Sequence, residues 1–227
     1  MENVIKTTKK PLQIKGEQTI KTLLSHLKVI RKEVFFTYLL FFILSIILVS
    51  IYKKSDLHLT LNQYHSTFFD RFFKYSTHLG DGAMFGILVV VFFFINKRMS
   101  LVFGIGGILT LLVTHFFKKI LFKGIPRPAG FLGVENLHVI DGVKMAFWNS
   151  FPSGHTMTAF TVFAILCIYF RKCTSQYLWI FLAFIAGISR VYLSQHFWID
   201  IFVGSVLGIV IAFVSMSLLY PERKRIH

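Results

Sequence analysis

VFFTYLLFFILSIILVSIY, residues 34–52, runs for nineteen positions without a charge, a glycine or a proline. A bilayer core of about 30 Å asks for about 20 apolar residues in a helix that crosses it, so this stretch reads as a membrane span. Its apolar residues are continuous and not set at the three- and four-residue spacing of a helix with one face in water. Five further runs follow, at 83–95, 99–117, 156–170, 177–192 and 197–220, of which 83–95 is short. The whole chain agrees with them. Of 227 residues, 55% are hydrophobic, 17% are aromatic with 27 Phe, and only 15% are charged, against about 25% charged in an ordinary soluble domain. A disordered tail is excluded and a water-soluble globule is disfavoured. The expected fold is all-α, a polytopic membrane bundle of six transmembrane helices. A basic segment at 1–33 precedes the membrane domain at 34–220, and a basic tail at 221–227 closes it. Nothing behind the first run resembles a signal-peptide cleavage site, so that run is expected to be retained.

The net charge of +15, from 25 Lys and Arg against 10 Asp and Glu, could indicate nucleic acid or an anionic membrane surface. The placement of the charges decides. Lys6, Lys9, Lys10, Lys15, Lys21, Lys28, Arg31 and Lys32 precede the first run, and Lys97/Arg98, Arg171/Lys172 and Arg223/Lys224/Arg225 mark alternate later turns. Such clusters fix membrane topology, and no basic region with interleaved aromatics stands apart as a nucleic-acid platform. Fifteen of the 25 basic residues thus share one side, which is expected to be cytoplasmic, with both termini inside. Residues 18–32 could lie as a helix on the inner surface, although an ordinary basic anchor is the simpler reading. The stretch 68–74, FFDRFFK, suits a helix lying at the lipid–water boundary and packed on the bundle. Cys167 and Cys173 are too few and too close for a disulfide framework and are expected to be free.

The remaining side carries the chemistry, in connections at 53–82, 118–155 and 190–200. Lys118 and Lys119 leave the third run and lead to Pro126, Arg127 and Pro128, where prolines stiffen the exit. Alone, this reads as a helix end whose lysines reach lipid headgroups. Next, Phe151-Pro152-Ser153-Gly154-His155-Thr156 directly precedes an apolar run. Ser153 is placed to cap that helix, and Gly154 lets an oxyanion approach the free backbone amides. Taken singly, a capped helix start with an incidental histidine explains this hexapeptide equally well. The third element is Ser189-Arg190, His196 and Asp200, the last two four residues apart and so on one helix face. A carboxylate there can fix the tautomer of the imidazole and leave its other nitrogen free. A plain ion pair of Arg190 with Asp200 is the structural alternative, since charges beside a span are costly unless paired. Zinc on His155, His196 and Asp200 is the chemical alternative. Arg127, Arg190 and a lysine would repel a cation and neutralise a phosphate, so the reading is an oxyanion site without metal.

At these residues the chain resembles the type 2 phosphatidic acid phosphatase superfamily, integral-membrane lipid phosphate phosphatases related to vanadium haloperoxidases. The resemblance rests on the Lys…Arg-Pro element ending at Arg127-Pro128, on Pro-Ser-Gly-His at 152–155 and on Ser-Arg…His…Asp at 189–200. It extends over about residues 80–220. It implies His196 as the nucleophile on phosphorus, forming a phosphohistidine, Asp200 as the residue that orients it, and His155 as the proton donor to the leaving oxygen. It further implies that Lys118 or Lys119, Arg127, Ser153, Gly154 and Arg190 bind the phosphoryl oxygens. The common family spacing puts six residues between the lysine and Arg-Pro. Lys119 has seven before Arg127 and Lys118 has eight, so both stay candidates. No cofactor is implied. The expected substrate is a lipid phosphate, hydrolysed at the outer face of the cytoplasmic membrane. A phosphotransferase using the same residues and a non-catalytic phospholipid carrier are the competing readings.

Overall fold

The computed structural model describes residues 21–22, 24–170 and 173–220, without the Cys173 side chain. Most of the basic N-terminal segment, the Arg171/Lys172 pair and the tail at 221–227 lie outside the described residues, as does the pairing state of Cys173. Each apolar run is a helix: α1 (Lys32–Ile51), α4 (Ala83–Ile95), α5 (Lys97–His115), α7 (Gly154–Tyr169), α8 (Cys173–Tyr192) and α9 (Trp198–Leu219). Three shorter helices sit in the connections: α2 (Lys54–Asn62), α3 (Thr67–Ser76) and α6 (Pro128–Leu132). No strand occurs among the described residues; the single bridge pairs Pro126 with Trp148.

Among the described residues, four helices are long and apolar enough to cross a bilayer: Lys32–Ile51, Lys97–Leu121, Thr174–Tyr192 and Trp198–Leu219. The short run at 83–95 is explained by what precedes it. Helix α4 has 13 residues, about 20 Å, too little for a bilayer core by itself. The chain Thr67–Gly80 leads into it across a 59° bend, and the two together have the length and composition of one broken span or of a re-entrant loop. Helix α3 carries the FFDRFFK stretch, with Ser66 accepting from Phe69 N at its start and Phe68 and Tyr75 exposed. Asn96 ends α4 and opens α5, its side chain accepting from the amides of Arg98 and Met99, which makes a tight antiparallel turn.

The 16-residue α7 is the centre of the bundle, and every residue from Thr156 to Ile168 is buried. Helix α9 approaches it closely because Gly204 and Gly208 face it. A Cβ at 204 would stand 2.7 Å from the Ser153 carbonyl oxygen, and one at 208 would stand 2.6 Å from that of Met157. Thr161 Oγ1 uses this proximity to donate to the Gly208 carbonyl at 3.0 Å. Helix α1 does the reverse, exposing Phe36, Leu40 and Ile46 outward, as a lipid-facing helix does. Cys167 is buried and free. The starts of α4, α7 and α9 and the ends of α5 and α8 meet at one end of the bundle, where all three sequence motifs come together.

Candidate active site

The turn from α8 into α9 is wound back on itself: the amides of Gln195 and His196 both donate to the Arg190 carbonyl, at 2.9 and 3.0 Å. This requires Ser194 to adopt a left-handed conformation, φ 51°, which a non-glycine residue holds only when its surroundings enforce it. Here His58 Nε2 lies 3.1 Å from Ser194 Oγ, and Asn62 Nδ2 donates to the same oxygen at 3.2 Å. Helix α2 therefore braces the turn.

His196, 1% exposed, projects from this turn with Nδ1 3.2 Å from Asp200 Oδ2. The same carboxylate oxygen accepts from Ser150 Oγ and from the Phe197 amide. Nδ1 is thereby engaged and Nε2 is free. Burial, reinforced by the positive charges of Lys118, Arg127 and Arg190, holds His196 well below the ordinary histidine range. Burial thus favours the neutral imidazole, which with Nδ1 turned to the carboxylate leaves the lone pair on Nε2.

Three cations face it. Arg127 is fixed by the loop: its amide donates to Phe147 O at 2.8 Å, Nε to Trp148 O at 3.0 Å and Nη1 to Gln195 O at 3.2 Å. Arg190 is 7% exposed and donates from Nη1 to Thr77 Oγ1 at 2.6 Å, so it turns to Thr77 and forms no ion pair with Asp200. Its Nε is buried with no hydrogen-bond partner. A buried guanidinium donor left open among other cations is an anion-binding feature, because leaving it unmet is costly. The two lysine candidates separate. The end of α5 widens into a π turn, Phe116–Leu121, closed by Phe122 N donating to Phe117 O at 2.7 Å. Lys118 turns inward toward Arg127, Arg190 and Asp200, whereas Lys119 is exposed. A π turn holds more residues than an α turn, which accommodates the eight-residue interval from Lys118 to Arg127.

Ser153 caps α7, its Oγ accepting from Thr156 N at 3.3 Å and from Thr156 Oγ1 at 2.9 Å. Its amide donates to the Asp200 carbonyl at 3.0 Å, joining the second motif to the third. The amides of Gly154 and His155 lie in the first helical turn, where backbone donors have no intrahelical acceptor. His155 points its Nε2 at Asp81 Oδ1, 2.7 Å away, and Asp81 Oδ2 lies 2.6 Å from His78 Nδ1. Beside His155 opens an apolar groove of about 480 Å³, lined by Gly80, Phe85, Gly104, Gly107 and Leu111 between α4, α5 and α7. Among the described residues, no group of three or more His, Cys, Asp or Glu side chains is arranged to hold a metal ion.

All the residues singled out from the motifs meet here except Lys119. Ser150, Thr77, Gln195 and Asp81 were not anticipated. Ser150 had a usable signal, three residues before the capping Ser153. Thr77 and Asp81 stand in a connection without periodicity.

A profile of the PAP2 superfamily matches residues 98–224, more than half of the sequence. The chain belongs to the PAP2 superfamily. This PAP2 chain is 26% identical over 124 residues to the "Bacitracin transport permease protein BcrC" of Bacillus licheniformis, covering 55% of this chain and 59% of that one. It thus spans little more than half the length of that relative. It is also 26% identical over 154 residues to the "Undecaprenyl-diphosphatase BcrC" of Bacillus subtilis (strain 168), covering 66% and 75% respectively. Among solved structures, Aquifex aeolicus LpxE superposes with a TM-score of 0.61 at 26% identity, over 71% of this chain and 93% of that one. The PAP2 bundle and the helical architecture described above therefore coincide.

Proposed function

We propose that this PAP2 chain is a membrane phosphatase that releases phosphate from a lipid phosphate or lipid pyrophosphate through a phosphohistidine at His196. The observation that carries the reading is the pairing of a neutral, carboxylate-held imidazole with three cations, one of which has an unmet buried donor. Pure phosphate binding has no use for an imidazole oriented by a buried carboxylate, whereas nucleophilic attack does. Nε2 of His196 attacks phosphorus while Lys118, Arg127, Arg190 and the first-turn amides of α7 take up charge on the equatorial oxygens. His155 protonates the leaving oxygen and then activates water against the phosphohistidine. No step requires a metal.

The groove beside His155 supports a lipid substrate over a water-soluble ester. It runs from the reacting end down along α5, whose neighbouring Ile108 and Leu111 are 60% and 69% exposed on the outer face of the bundle. A chain lying there would place its phosphate among the cations while its hydrocarbon stays in the bilayer. The apolar helices make the chain a multi-pass membrane protein. We read α7, shielded by its neighbours, as the sixth span, with both termini cytoplasmic and the site on the outer side, a reading that the loop charges support.

The test is free-phosphate release by the purified protein in detergent and chelator. The panel is phosphatidic acid, phosphatidylglycerol phosphate, undecaprenyl pyrophosphate and lipid A phosphates. Release that survives chelation and disappears in His196→Ala is expected, and the preferred lipid names the substrate. Full turnover in His196→Ala would overturn the nucleophile. Loss of substrate without free phosphate would point to transfer onto an acceptor alcohol.

A further inference from the structure

The bend between α3 and α4 sets a carboxylate against the second histidine. Asp81 belongs to none of the three motifs, yet its Oδ1 is 2.7 Å from His155 Nε2. Two contacts hold the bend in place. Gly80 packs on the start of α7 so tightly that a Cβ would stand 2.6 Å from the His155 carbonyl oxygen. Three residues earlier, Thr77 Oγ1 accepts from Arg190 Nη1 at 2.6 Å. The segment is thus tied at both ends to the reacting site, through Gly80 to the His155 backbone and through Thr77 to the Arg190 side chain.

The charged and titratable groups facing His155 come from four directions. Asp81 faces it from the bend, Arg190 from α8, Lys118 from the end of α5, and His196 from the turn before α9. Asp81 itself faces His78 as well as His155, with Arg190 nearby. Asp81 is the acidic group in direct contact with His155, since Asp200 is engaged by His196, Ser150 and the Phe197 amide. Arg190 and Lys118 bring positive charge to His155, and Asp81 brings the negative charge that sits directly against it.

We propose that Asp81 is the positioning residue of the proton donor, holding His155 by Nε2–H so that Nδ1 delivers the proton. This rests on the reading of His155 as general acid. In the first step the Nε2 pair of His196 forms the P–N bond. The bond from phosphorus to the leaving oxygen breaks with its electrons staying on that oxygen, which takes the Nδ1 proton of His155. In the second step Nδ1 accepts a proton from the attacking water, and the P–N electrons return to His196 as phosphate leaves. Asp81 stays ionised throughout. The two histidines therefore work through opposite nitrogens, each presented by its own carboxylate: Nε2 of His196 by Asp200 and Nδ1 of His155 by Asp81.

The test compares kcat/KM for dioctanoyl phosphatidic acid, whose alcohol must be protonated to leave, with that for p-nitrophenyl phosphate, whose phenolate leaves unaided. This ratio reports phosphoryl transfer to the enzyme and excludes the later hydrolysis. Asp81→Asn is isosteric and the site is partly open, so folding is preserved, and size exclusion in detergent checks it. For the lipid, kcat/KM should fall roughly 10- to 100-fold, and for the aryl phosphate by no more than about threefold. The alkaline limb of the lipid profile should move to lower pH, and Asp81→Glu should recover part of the loss. Equal losses on both substrates, or none, alongside a selective loss in His155→Ala would overturn the role of Asp81 alone. An unselective His155→Ala would instead remove the general-acid reading, and wild-type protein inert toward both substrates would remove the function; the proposal falls with either.

Discussion

Replacing Gly204 by alanine tests how far catalysis depends on the approach of α9 to α7. The added Cβ would stand 2.7 Å from the Ser153 carbonyl oxygen and 3.3 Å from Thr156 Cβ, whereas ordinary contact begins at 3.4 Å. The backbone oxygen cannot rotate away, so the two helices must part by about 0.7 Å at this level. Asp200 lies one turn above Gly204 on α9 and is joined to Ser153 through an amide–carbonyl hydrogen bond of 3.0 Å. The parting therefore carries Asp200 and His196 away from the start of α7, where His155 and the free amides sit. Overpacking of this kind costs about 1–3 kcal/mol, and a displacement near 1 Å of reacting groups costs about 100-fold in rate. Gly204→Ala should fold with a lowered Tm and lose about 10- to 100-fold in kcat with KM little changed. Gly208→Ala provides the comparison, because its Cβ would meet Met157 O at 2.6 Å and Phe160 Cβ at 2.9 Å one turn deeper in the bundle. It should destabilise at least as much and impair turnover less. Phosphate release and thermal unfolding, both in detergent, measure the two effects. Full kcat in a folded Gly204→Ala protein, or parallel losses in both variants, would refute the link between helix approach and site geometry.

Arg190→Lys should not restore what Arg190→Gln loses, with both down roughly 100- to 1,000-fold in phosphate release. The reason is that the guanidinium serves Thr77 through Nη1 while keeping Nε for substrate, and one ammonium cannot span both. Lys118→Ala should cost about 100-fold in kcat/KM and Lys119→Ala less than about twofold, because only the first faces the arginines. Acid should destabilise the fold through His58, whose burial pushes it down to about 4. The unfolded chain takes up this proton below pH 6.5 and the folded chain does not until near 4. Stability is thus complete above about pH 6.5 and falls by up to about 3 kcal/mol on the way to pH 4. Thermal unfolding from pH 7.5 to 4.5 should show a falling Tm, and His58→Gln should flatten that fall.

The bundle was legible because each of its six main helices carries an apolar run, a pattern that survives any packing arrangement. The roles of the helices within it were not. Phe36 on α1 is 61% exposed and Phe160 on α7 is 1% exposed, though both lie in runs of the same character. Lipid and protein interior are equally apolar, so composition cannot separate a lipid-facing helix from a central one. The bend before α4 was equally hidden. Leu79-Gly80-Asp81-Gly82 reads as a loop, and its glycine matters for a contact with α7 more than seventy residues away. The three motifs were legible as candidate chemistry only in combination, because Arg127, Arg190 and a lysine beside two histidines favour an oxyanion over a cation. Asp81 and Thr77 complete the site through tertiary contact alone, and no spacing in the sequence announces them.

The lysine shows where linear spacing fails in physical terms. Counting residues back from Arg127 favours Lys119, which is nearer to the six-residue interval common in the family, yet Lys118 faces the arginines. A count along the chain assumes that each helical turn holds the same number of residues. At Phe116–Leu121 the turn is closed five residues apart, Phe117 O to Phe122 N, so one position is absorbed without advancing the chain a full α-helical step. Neighbouring residues on a helix point about 100° apart, so the choice between Lys118 and Lys119 depends on the local winding of that turn. Removing one residue at 120 or 121 should restore a regular α turn and swing Lys118 off the site. If that deletion leaves phosphate release intact in a folded protein, the π turn does not set the lysine.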